Sequence, residues 1–165
     1  MNNMTPRKLR RIVNFWPPFF FSGIRALEIS DDWRYARVRL KLGRFNRNYV
    51  GTHFGGSLFA MTDPFWMILV MECLGRDYIV WDKAGEITFV QPGREDVYAE
   101  FHVEDAVLDE LRAATASGEK YLRWFSVDVK TAGGDVVAQV RKQLYVRRKD
   151  AKAREASGSA ALSSS

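Results

Sequence analysis

The sequence predicts an α+β fold: a strongly curved antiparallel sheet wrapped around one long apolar helix. Three observations carry this expectation. The stretch from Gly55 to Leu74 is apolar almost all round, as a helix buried on most sides must be. Two extended segments precede it and four follow, several alternating with the period of two of a half-buried strand. One helix cannot cover both faces of such a sheet, so the opposite face or an edge needs a second protomer. A homodimer or homotetramer is the physical expectation.

With 165 residues, the chain suits one domain, 1–149, able to bury a core of its own. The Ala/Ser/Lys composition of 150–165 predicts a disordered tail. The chain is 47% hydrophobic and 13% aromatic, which argues against disorder elsewhere. Its one cysteine, Cys73, rules out an internal disulfide framework and favours a reducing compartment. Within an apolar helix it reads as a small core residue rather than a nucleophile. The basic start (Arg7, Lys8, Arg10, Arg11) and the apolar run after it resemble a signal peptide, but Pro17 and Pro18 interrupt the run and no small-residue cleavage site follows. Asp63, Pro64 and Glu72 interrupt the other apolar stretch, where a membrane span wants about 20 apolar residues. A cytoplasmic protein without a stable membrane anchor is expected. The net charge of +5 suits partners carrying phosphate. The basic residues are scattered and no zinc, helix-turn-helix or RNA-binding signature accompanies them, so a phosphorylated small molecule is expected rather than nucleic acid.

Thr5-Pro6 opens a short helix, with Thr as N-cap and Pro at the first helical position. Pro17 and Pro18 stop it after about Phe15. Its expected place is over a sheet edge or pocket mouth, with Trp16 and the cluster Phe19 to Phe21; a membrane-surface role suits so short a helix less well. Extended segments over 23–30 and 33–41 part at Asp31-Asp32, a turn pair. In the second, Ala36, Val38 and Leu40 share one face and Arg37, Arg39 and Lys41 the other. A polar, basic loop over 43–54 leads into the central helix, which Gly75 ends. Residues 78–91 extend to the turn at Pro92-Gly93. Residues 97–104 place Val97, Ala99, Phe101 and Val103 on one face. Residues 120–131 read as buried on both faces at their centre, and Gly133-Gly134 turns the chain into 136–146. Residues 106–117 fit a short surface helix or a loop.

The chemistry-bearing stretch is Asn48 to Asp63. A polar loop passes through Gly51-Thr52 and reaches Gly55-Gly56, where the helix opens. Asp63 follows seven residues after Gly56, nearly two turns on and on the same helical face. Paired glycines allow a ligand close to the backbone, and the first helical amides have no internal partner. Such an end suits an anion or a polarised carbonyl oxygen.

The motif Asn48-x-x-Gly51-Thr52-x-x-Gly55-Gly56, with Asp63 beyond it, is similar to that of hotdog-fold acyl-CoA thioesterases of the phenylacetate-pathway type. Those enzymes carry Asn-x-x-Gly-Thr-x-His-Gly-Gly and then Asp at the same interval. Trp16-Pro17-Pro18, Asp63-Pro64 and Gly85-Glu86-Ile87-Thr88-Phe89 resemble an uncharacterised bacterial branch of that superfamily, over about residues 6–148. The resemblance implies a hotdog fold and acyl-CoA hydrolysis without a separate cofactor, coenzyme A being part of the substrate. It implies Gly55 and Gly56 as the polarising helix end, Asp63 from the facing protomer as base or nucleophile, and Asn48 as the orienting residue. The sequence departs from the pattern twice. Phe54 stands where the family has His, with His53 one place earlier, so both become candidates for substrate contact, His53 fitting a surface-loop histidine equally well. Pro64 directly follows Asp63, so the helix is kinked there or Asp63 caps a second helix.

Further candidates surround this core. By alignment on Ile87-Thr88-Phe89, Asp82 falls where such thioesterases place a small hydroxyl residue, to hold water or to pair with Lys83 or an arginine. Lys142 interrupts the apolar register Val136, Ala138, Val140, Leu144, Val146. It fits either a snorkelling lysine or a coenzyme A phosphate contact, helped by Arg94, Arg141, Arg147 and Arg148. Glu72 lies opposite Asp63 on the helix and reads as a salt-bridge residue. Phe54, Phe59, Phe65, Trp66 and Met67 suggest an apolar acyl lining. A non-catalytic acyl-CoA or lipid-binding protein is the alternative from another class. A dehydratase is weaker, since its catalytic His would have to be His53 or His102.

Overall fold

The computed structural model describes residues 4–149; the expected tail over 150–165 lies outside them. Thr5 caps helix α1 (Pro6–Phe15), its hydroxyl accepting from the Lys8 amide at 3.3 Å. Pro17 and Pro18 end that helix and also start a second, α2 (Pro17–Ser22), since a proline without an N–H is well placed in a first turn. Strand β1 (Ile24–Ile29) follows, then the Asp31-Asp32 turn and β2 (Tyr35–Leu40). The central segment runs as α3 (Gly55–Ala60) and α4 (Phe65–Leu74). The rest is β3 (Tyr78–Phe89), β4 (Val97–His102), α5 (Asp105–Ala114), β5 (Tyr121–Thr131) and β6 (Val136–Arg148).

The six strands form one antiparallel sheet in the order β1-β2-β4-β5-β6-β3. The inward registers anticipated for β2, β4 and β6 are the buried ones: Ala36, Val38 and Leu40; Val97, Ala99 and Phe101; Ala138, Val140, Leu144 and Val146. Val136, expected in the β6 register, is only half-buried, because a register shift against β5 puts Val137 inside instead. Against them lies α4, whose Phe65 meets Phe101 at 5.3 Å between ring centroids and whose Trp66 meets Phe125 at 4.9 Å. Phe65 and Trp66 are therefore core residues, not acyl lining. By length and composition alone, 55–74 could also cross a membrane; here it packs on the sheet. The outer face of β5 is less covered than anticipated, because Leu122 stays exposed and Trp124 lies under the Arg141 guanidinium at 4.7 Å.

Helix α1 covers the β1 edge of the sheet, but not with the anticipated aromatic cluster: of Trp16, Phe19, Phe20 and Phe21 only Phe19 is buried. Its Leu9 and Val13 are buried, and the Asn14 amide bonds both the N–H and the carbonyl of Ala26 on β1. Such reciprocal bonding satisfies backbone groups that an edge strand otherwise leaves open. At the other end of the order, β3 pairs, among the described residues, only with β6. Its free edge carries exposed Trp81 and Phe89.

Candidate active site

Helix α3 stops at Ala60, and Met61 to Pro64 form a turn joined by a cis Asp63–Pro64 bond. The Ala60 carbonyl takes the Asp63 N–H at 3.1 Å. Pro64, not Asp63, caps α4, and no side chain bonds that helix end. Of the two geometries the sequence allowed, the carboxylate is thus free of capping. It faces across to β6 instead: Lys142 Nζ donates to Asp63 Oδ1 at 2.7 Å.

That lysine is built into the inner face. Its side chain is 7% exposed against 44% for Asp63, and its ammonium sits 4.6 Å from the Phe59 ring centroid. A buried ammonium needs such a counterion and cushion. Snorkelling is therefore not its role, and its donors turn inward rather than toward a solvent-borne phosphate. The anticipated helpers do not converge on it. Arg141 lies on the opposite face, paired with Glu86 at 3.2 Å, and Arg94 is exposed. Glu72 is exposed and forms no ion pair with a described residue, a correction to the salt bridge expected of it.

Asp82 joins the cluster through a bulge. On β3, Asp82 lies opposite Leu144 and Gly85 opposite Lys142, with the register shift between Asp82 and Ala84. Residues three apart normally point to opposite faces. The extra residue, Lys83, brings Asp82 and Gly85 onto the same inner face. Asp82 Oδ1 is buried with no hydrogen-bond partner. Burial raises its pKa to about 6; the Asp63 charge adds to the rise, and Lys142 opposes it. It pairs with neither Lys83 nor an arginine among the described residues.

The start of α3 is set by the 43–54 loop. Asn48 closes that loop on itself: its side chain accepts from the Val50 and Thr52 amides and donates to Thr52 Oγ1 and the His53 carbonyl. Buried Asn46, which the sequence did not single out, ties the loop to the Ser22 carbonyl at 2.8 Å. His53 is 3% exposed, so it is no surface histidine. Its Nε2 lies 2.8 Å from the Glu95 carbonyl, which fits an N–H donor there, while Nδ1 is buried without a partner. Burial lowers its pKa.

The first helical bonds of α3 come from Ser57 and Leu58 to the Phe54 carbonyl, which leaves the Gly55 and Gly56 amides without intrahelical partners. An aromatic ring covers each glycine. A side-chain carbon on Gly55 would meet Phe89 Cζ at 2.7 Å, and one on Gly56 would clash with the Phe54 ring. Two clefts flank these rings. One, of about 370 Å³, is lined by Asn48, His53, Gly55 and Phe89. The other, of about 490 Å³, is lined by Phe21, Phe45, Phe54 and Gly56. A larger cleft, about 560 Å³, lies on the outer face of β4 and β5. Its charged lining is largely self-paired, Arg37 with Glu100 and Lys130 with Asp128, each at 3.2 Å. Among the described residues no metal-binding group of three His, Cys, Asp or Glu gathers.

A curved six-stranded antiparallel sheet on a central helical segment is the hotdog fold. Residues 6–146 match the family described as a domain of unknown function, DUF4442, and the chain belongs to that family. It is similar to a Pseudomonas aeruginosa protein of unknown function described as a probable thioesterase, with 19% identity, TM-score 0.74, and coverage of 89% of this chain and 99% of that one. A Haemophilus influenzae thioesterase matches at 13% identity and TM-score 0.64, over 89% and 93% of the two chains. An Asp-to-Ala mutant of a hypothetical thioesterase from Streptococcus pneumoniae matches at 16% identity and TM-score 0.55, over 78% and 94%. No curated protein matches the sequence.

Proposed function

We propose that the protein hydrolyses an acyl-CoA thioester to the free acid and coenzyme A. The observation that carries this reading is the Asp63 carboxylate, gripped on one oxygen by buried Lys142 yet still 44% open. Asp63 takes a proton from water, whose oxygen adds to the thioester carbon; the oxyanion faces the Gly55 and Gly56 amides, and collapse expels the coenzyme A thiolate, which takes up the proton. In the nucleophilic variant, Asp63 itself adds to the carbon, the C–S bond breaks to expel the coenzyme A thiolate, and water hydrolyses the resulting anhydride, restoring the Asp63 carboxylate and giving the thiolate its proton. One preorganised donor is worth about 3 kcal/mol of barrier, and a positioned base about 10² to 10⁴ in rate.

Each site is completed in a homodimer or homotetramer, the partner's Asp63 facing Gly56; the free β3 edge supports such an assembly. Coenzyme A is part of the substrate and no further cofactor is invoked. Phe21, Phe45 and Phe54 suit a medium-length or aromatic acyl group, and the single cysteine suits a cytoplasmic setting. The test is a panel of acyl-CoA esters with a thiol-trapping dye. Thiol release at the same rate from wild type and Asp63→Asn would remove Asp63 from the chemistry.

A second reading, acyl-CoA or lipid binding without turnover, is favoured by the rings of Phe54 and Phe89 over the two glycines. Each ring fills the space beside its glycine where a side chain would sit. Calorimetry showing tight acyl-CoA binding, with no thiol release over hours, would select it.

A further inference from the structure

Large apolar side chains stand exposed on one side of the N-terminal helices, although the core is complete without them. Phe15 is 76% and Phe21 75% exposed. Phe20 links them, stacked on Phe15 at 6.5 Å and edge-on to Phe21 at 5.4 Å. From Phe21 the apolar surface continues into the cleft shared with Phe45 and Phe54, and Phe45 is 98% exposed.

The charges around this surface have one sign. Arg7, Lys8 and Arg11 lie on the exposed side of α1, and Arg44 and Arg47 flank Phe45. No Asp or Glu occurs in residues 1–27 or 33–62. None of these five cations lies within ion-pair distance of a carboxylate among the described residues. Two ordinary uses of such a surface fit poorly. Folding uses the other side of α1, through Leu9 and Val13. A two-fold contact with a second copy through α1 would set Arg7, Lys8 and Arg11 against themselves, with no acidic group there to offset them.

We propose that this face docks reversibly on an anionic bilayer. Phe15, Phe20 and Phe21 enter the headgroup boundary, and the five cations meet lipid phosphates. The short helix makes the attachment reversible. The docking does not depend on thioester hydrolysis.

Co-sedimentation of the full chain with phosphatidylcholine vesicles, with and without phosphatidylglycerol, tests this. The chain pellets with the anionic vesicles, much less with neutral ones, and is released by high salt. The triple variant Arg7→Gln/Lys8→Gln/Arg11→Gln weakens binding roughly 100-fold, from the contribution of each basic residue at the surface. Phe15→Ser/Phe20→Ser weakens it by about tenfold or more. Circular dichroism checks folding; if the aromatic variant unfolds, the charge variant at exposed positions decides. No pelleting with anionic vesicles, or undiminished pelleting of a folded variant, overturns the proposal. So does a fall in oligomer mass of the aromatic variant with unchanged vesicle binding, which would assign the face to a second copy. Thiol release plays no part in these outcomes, so they stand apart from the test of hydrolysis.

Discussion

Lys142 Nζ lies 2.7 Å from Asp63 Oδ1, linking the last strand to the turn that breaks the central helical segment. The two partners are unequally solvated, the lysine nearly enclosed and the aspartate almost half open. Removing either one therefore has a different consequence.

Asp63→Asn strands a buried ammonium, whereas Lys142→Met leaves a carboxylate that water can reach. Asp63→Asn should cost about 2 kcal/mol, short of the roughly 3–5 kcal/mol of a fully buried pair because Asp82 remains nearby. Lys142→Met, which places an apolar chain against Phe59, should stay within about 1 kcal/mol of wild type. Urea unfolding measures both. Thiol release keeps the same order: Asp63→Asn loses about 10² to 10⁴ in rate, and Lys142→Met about tenfold through misplacement.

Asp82 supplies a pH signature. Its pKa rises from 3.8 to about 6 on folding, chiefly through burial. The folded state thus holds a proton that the unfolded chain has released. This contribution to stability is complete below pH 3.8 and is lost as pH rises through about 6. Asp82→Asn should accordingly be more stable than wild type at pH 7, by about 1 kcal/mol after allowance for partial exposure. Melting curves from pH 4 to 7.5 should show the gap closing toward the acid end.

His53 acts with the opposite sign. Burial lowers its pKa below 6.5, so the unfolded chain binds a proton that the folded chain resists. Its contribution is complete above pH 6.5 and declines as pH falls from there. His53→Gln keeps a donor for the Glu95 carbonyl and cannot titrate. The variant should lack this acid-side decline, so its stability should stay flatter than that of wild type below pH 6.5 in the same melting series.

Much of this architecture was legible because burial and alternation are local properties. The inward registers of β2, β4 and β6, the cap at Thr5 and the stop at Gly75 all follow from neighbours in sequence. What escaped depends on pairing. No feature of β3 alone says that Lys83 bulges, yet that bulge puts Asp82 and Gly85 on one face. The counterion of Lys142 lies 79 residues away, and the burial of His53 depends on Gly93 and Glu95. Phe89 over Gly55 is likewise a contact between distant elements. One local clue was available: a glycine inside a strand marks a close approach, and Gly85 is such a residue.

Gly85 faces Lys142 across the β3–β6 pair. A Cβ there would come within 2.6 Å of Phe59 Cζ and 3.2 Å of Lys142 Cδ. Since Phe59 also cushions the ammonium, Gly85→Ala must displace either the ring or the lysine, and with it the grip on Asp63. The crowding should cost about 1–2 kcal/mol, partly offset by roughly 0.5–1 kcal/mol from the alanine's smaller loss of backbone freedom on folding. Thiol release should fall more than stability does, because a small shift in the base costs rate steeply. Adding Phe59→Leu vacates the contested space and should recover stability, and activity only in so far as Lys142 returns to Asp63. Unfolding and thiol-release measurements on the single and double variants separate the two effects. A Gly85→Ala protein as active as wild type would mean that Asp63 does not depend on this packing.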